Sequence, residues 1–65
     1  MSLYDIGALP IGFTMRLSQD LKAMENFAAM SEREKIEIVN YIQGATTGEE
    51  AEERVTSAVA RLHNL

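Results

Sequence analysis

No segment of this 65-residue chain alternates apolar and polar residues with a period of two, whereas from Phe13 onward apolar residues return at every third or fourth position. That period places side chains along one face of a helix and leaves no half-buried strand to build a sheet. The fold expected is therefore all-α. The chain has no cysteine, so neither a disulfide framework nor a thiolate metal site is open to it. Its length gives room for one domain, residues 1–65, and a domain below roughly 70–80 residues buries a limited core. Stability must come from helix packing or from self-association. Apolar residues make up 46% and charged residues 25% of the chain, the composition of a folded domain.

Three apolar stripes define three main helices. In the first, Phe13, Leu17, Leu21, Met24 and Ala28 recur at spacings of four, four, three and four, with Phe27 beside them. Ser18 and Asp20 are both N-cap residue types, so a break near residues 18–20 would give four helices, but the unbroken stripe favours one. The second start is marked by Ser31 and Glu34, the S-x-x-E spacing of a capping box. That helix should run over 32–43, with Gly44 as terminator. Its apolar residues Ile36, Ile38, Val39, Tyr41 and Ile42 cover more than half of the wheel, which predicts a helix sandwiched between two others at the centre of the bundle. After the connector 44–48, Thr47 with Glu50 and Thr46 with Glu49 have equal claims as the next capping box. The third stripe is Ala51, Val55, Ala58, Val59 and Leu62. The predicted core is Leu17, Leu21, Met24, Phe27, Ile38, Val39, Ile42, Val55, Val59 and Leu62. Ala28, Ala51 and Ala58 are expected at close helix contacts, and Met15, Met24 and Met30 as gap fillers.

Residues 1–12 are different. Gly7, Pro10 and Gly12 exclude a long helix there, yet Leu3, Tyr4, Ile6, Leu9 and Ile11 are too many apolar residues for a solvated tail. They are expected to form an arm lying across the bundle, and the competing reading has them meet a partner.

The chemistry expected is chiefly exclusion. A nucleophile or acid–base pair needs a positioned partner, and the one histidine, His63, is expected to be a solvated last-turn residue favourable to the helix dipole. Ser2, Ser18, Ser31 and Ser57 have no G-x-S-x-G or S-x-x-K context, and no phosphate-binding glycine loop is present. Glu49, Glu50, Glu52 and Glu53 lack the Asp/Asn–glycine pattern of a calcium loop and are expected to serve as a helix start and solvated face. No catalytic, cofactor-binding or metal residue is assigned, and no enzyme is expected. Ten acidic against six basic residues give a net charge of −4, which repels phosphate backbones and argues against nucleic acid and anionic membranes. No apolar run is long enough to span a bilayer, and Asp5 without a basic cluster does not read as a secretory signal. The expected location is the cytoplasm.

Three resemblances follow from particular residues. Leu9-Pro10-Ile11-Gly12-Phe13-Thr14-Met15, Leu17, Gln19, Ala23-Met24, Phe27 and Ser31-Glu32-x-Glu34-Lys35 resemble small uncharacterised helical proteins of anaerobic Gram-positive bacteria, which implies a helical fold and brings no activity. Phe27, Tyr41-Ile42, Ala45, Arg54-Val55 and Leu62 are similar to the C-terminal helical segment of the bacteriocin-protection (OmpD-associated) family. Where that family has basic residues after the alanine and an E-T-R sequence, this chain has Thr46 and Glu49-Glu50-Ala51, so the likeness implies fold rather than function. Ser31–Lys35 with Gly44–Arg54 resembles the DNA-binding region of a sigma factor, but no second turn precedes a basic recognition helix, and only Arg54 and Arg61 are basic in the last helix. The function expected is that of a small interaction or accessory protein, acting through a protein partner or as a homo-oligomer. The alternative is a degenerate helix-turn-helix regulator.

Overall fold

The computed structural model describes residues 9–65 and has four helices: α1 (Ile11–Ser18), α2 (Leu21–Ala28), α3 (Glu32–Gln43) and α4 (Gly48–His63). The all-α class is as expected, but the stripe read as one helix is two. Asp20 adopts an extended conformation (φ −134°, ψ 92°), and its side chain accepts a hydrogen bond from the Ala23 amide at 3.1 Å. An N-cap of this kind satisfies a backbone donor that a helix start otherwise leaves unpaired, so the local chemistry of Asp20 overrides the apolar spacing around it.

The break changes which face is buried. Phe13 and Leu17 point inward from α1, and after the turn the inward pair on α2 is Ala23 and Phe27. Leu21 and Met24, both expected in the core, are 69% and 38% exposed. Met15 is exposed as well and fills no gap, whereas Met30 packs against the core. The close-packed alanines are Ala23 and Ala58, while Ala28 is exposed and Ala51 is intermediate. Phe13 and Phe27 meet edge to face, with ring centroids 5.2 Å apart and planes at 82°, the arrangement that aromatic quadrupoles favour.

The centre of the bundle is α4, not α3. Helices α1, α2 and α3 each pack against α4, which contributes Val55, Ala58, Val59 and Leu62 to a core completed by Phe13, Leu17, Ala23, Phe27 and Ile42. From α3, Val39 and Ile42 are buried and Ile38 is half-buried, while Ile36 and Tyr41 are 40% and 45% exposed. The broad apolar surface of α3 is thus only partly covered by the fold.

Helix ends follow from their capping residues. Ser31 and Glu34 form the reciprocal box, each side chain bonded to the other's backbone amide. At α4 the cap is Thr47, whose Oγ1 accepts from the Glu50 amide, while Glu50 Oε1 turns to the Thr46 amide. Gly44 ends α3 in a right-handed conformation, with φ −75°. It does not supply a left-handed turn. What its missing side chain leaves is room for Arg54, whose Nη1 donates to the Tyr41 carbonyl at 2.6 Å and closes an orphan acceptor in the last turn of α3.

Of the apolar arm, Leu3, Tyr4 and Ile6 lie outside the described residues. Leu9 packs against the core, but Ile11 is the first residue of α1 and is 80% exposed. Among the described residues, no helix is long and apolar enough to cross a membrane.

Candidate functional site

The uncovered side of α3 faces a matching stripe on α4. Glu34, Glu37, Ile38 and Tyr41 stand at positions i, i+3, i+4 and i+7 of α3, and Ala58, Arg61, Leu62 and Leu65 repeat that spacing along and just beyond α4. Residues so spaced share one helix face. Together with Met30 the two stripes line a groove of about 420 Å³, within the roughly 300–1,000 Å³ typical of ligand sites. Ile38, Ala58 and Leu62 make its floor. Ala58 keeps it deep, because a longer side chain at that position would fill the space between the helices.

One end of the groove is held by a polar cluster. The Arg54 guanidinium carbon lies 5.0 Å from the centre of the Tyr41 ring, in cation–π range. The same guanidinium donates to the Tyr41 carbonyl and pairs with Glu50 at 3.4 Å. Arg54 therefore fixes both the backbone and the ring of Tyr41, which stays 45% exposed at the groove mouth. Leu65, at the other end, is 70% exposed.

A second hollow, between α1, α2 and α3, is lined by Leu9, Thr14, Leu17, Met24, Phe27 and Lys35 among others. The Lys35 stem is buried there, with Nζ 5.7 Å from the Phe27 ring centre. The outer face of α4, with Glu49, Glu52 and Glu53, carries a shallow acidic depression.

His63 is exposed in the last turn of α4, as expected, and it also has a partner. Its Nδ1 lies 3.0 Å from both carboxylate oxygens of Asp20, joining the last turn of α4 to the start of α2. Nearby, Asn26 Nδ2 donates to the Leu62 carbonyl at 2.6 Å. The pair is a clamp between helices, and among the described residues no hydroxyl is hydrogen-bonded to the His63 ring. Ser18 donates to the Met15 carbonyl, Ser31 caps α3, Ser57 borders the acidic depression, and Ser2 lies outside the described residues.

The His63 hydrogen bond first, and the Ala23 amide second, hold the Asp20 carboxyl below its ordinary value of 3.8. A carboxylate whose folded pKa is depressed contributes stability that is present above the unfolded value and is lost as pH falls through the folded one. Asp20→Asn preserves a capping side chain but not the charge. Wild type should therefore melt above this variant at pH 6, and the difference should shrink as pH falls from 3.8 through the lower folded value. Glu34, also lowered, by the Ser31 amide and hydroxyl, is common to both proteins and cancels. A difference in Tm that stays constant from pH 6 to pH 2.5 would show that the charge is not involved.

No family model, curated protein or solved structure matches this chain. The α3–α4 groove is thus read from its own geometry. The one sequence signal for it is the apolar excess on α3, which on a helical wheel alone reads as burial on two sides.

Proposed function

We propose that the chain is a small interaction module that receives a helix of a protein partner along the α3–α4 groove. The observation that carries this reading is the pair of facing stripes, with exposed Tyr41 and Leu65 at the two ends. An amphipathic helix docks by laying anchors at i, i+3, i+4 and i+7 into a groove of this kind. A tyrosine held by its neighbours binds at low entropic cost, and tyrosine is enriched among residues that dominate interface energies. Protein is favoured over duplex DNA because the outward face of α4 presents Glu49, Glu52 and Glu53, and Arg54 is engaged by Tyr41 and Glu50. Such a face repels phosphates.

Photo-crosslinking in the source cell tests the reading. A photoreactive residue at position 65, beside the groove, should form a defined covalent adduct with another protein, and one at position 53, on the outer face, should not. Equal labelling from both positions, or none from position 65, would sink the proposal. In parallel, salt-sensitive binding to duplex DNA would favour the regulator alternative.

A further inference from the structure

We infer that the partner helix carries a cationic edge and lies with that edge along α3. This rests on the groove reading above and adds the chemistry of the occupant. The α3 rim holds Glu34 and Glu37, one helical turn apart, whereas the α4 rim holds Arg61. Glu34 is kept in its ionised form by the Ser31 amide and hydroxyl. Glu37 is exposed and has no hydrogen-bond or ion-pair partner among the described residues. The two walls therefore differ in sign, acidic on α3 and basic on α4. A helix with Lys or Arg along one side of its apolar stripe meets Glu34 and Glu37 when that side faces α3. Reversing the helix would bring those cations to Arg61, so the rim charges select a direction as well as a class of partner.

A second copy of this chain is the competing occupant. Its best candidate is α1, where Ile11 and Met15 are exposed one turn apart and Arg16 adjoins them. Two copies, however, each bring a net charge of −4 to the contact, and like-charge juxtaposition opposes association. A cationic helix from another protein meets no such penalty.

The test uses the intact 65-residue chain and two synthetic amphipathic peptides, each about four helical turns long, with the same leucine face and either lysines or glutamates along its edge. Amide shifts at Ile38, Tyr41 and Leu62 report groove binding. The lysine peptide is expected to bind there about tenfold more tightly at low salt, with the advantage shrinking as salt is added, since rim charges are screened. Glu37→Lys, at an exposed position, should keep the fold and remove or invert the preference. Equal affinities at the groove would overturn the cationic edge while leaving the groove reading intact. If neither peptide moves groove residues, both readings fall. A dimer in sedimentation equilibrium that is lost in Met15→Glu would replace the inferred partner by a second copy.

Discussion

Replacing Phe13 by alanine is expected to remove a large share of the protein's stability and to lower Tm steeply. Phe13 is fully buried, and its ring meets Phe27 edge to face. Removing a buried aromatic ring costs about 3–5 kcal/mol. Domains hold only about 0.05–0.15 kcal/mol of stability per residue, which for this chain comes to no more than about 10 kcal/mol. Leu21→Ala is the companion measurement. Had the apolar stripe run unbroken through α1 and α2, both substitutions would be severe. With Leu21 at 69% exposure, its truncation should change stability by no more than about 0.5 kcal/mol. Thermal or urea unfolding of the two variants therefore reports directly on the turn at Asp20. Equal losses would restore the single helix.

The second large effect is expected at Leu62, which is 2% exposed and belongs at once to the core and to the groove floor. Leu62→Ala should cost about 2–5 kcal/mol, and each kcal/mol lowers Tm by about 4–8 °C in a domain of this size. Leu65→Ala, at the exposed rim, should leave Tm unchanged and weaken only what the groove binds. A calorimetric scan of both, with a peptide titration of the second, separates support from contact. If Leu65→Ala melted as early as Leu62→Ala, the rim would be part of the core and the groove would not be open.

The fold was legible wherever one local rule acted alone. The Ser31–Glu34 box set the start of α3 to the residue, and the narrow stripe Val55, Ala58, Val59 and Leu62 gave the buried face of α4. It was misread where two rules competed. Along 13–28, apolar spacing favoured one helix and the capping chemistry of Asp20 favoured two. The cap prevailed because breaking there lets α1 and α2 each turn a buried pair toward α4. The apolar excess of α3 was visible, but a wheel cannot distinguish a face covered by another helix from one left open. His63 and Asp20 are 43 positions apart, and nothing local in either segment announces their contact. Gly44 was identified as a helix end for a conformational reason, whereas its use is to clear space for a guanidinium from ten residues further on.

The central position of α4 has a consequence for the order in which the chain becomes a protein. Helices α1, α2 and α3 are synthesised first, yet the surface on which all three close comes afterwards. Segments as short as α1 and α2, eight residues each, are marginal helices in water by themselves. The nascent chain therefore lacks most of its core until Val55, Val59 and Leu62 have been made, and closing the bundle awaits α4. Until then Phe13, Leu17 and Phe27 are open to chaperones and to one another.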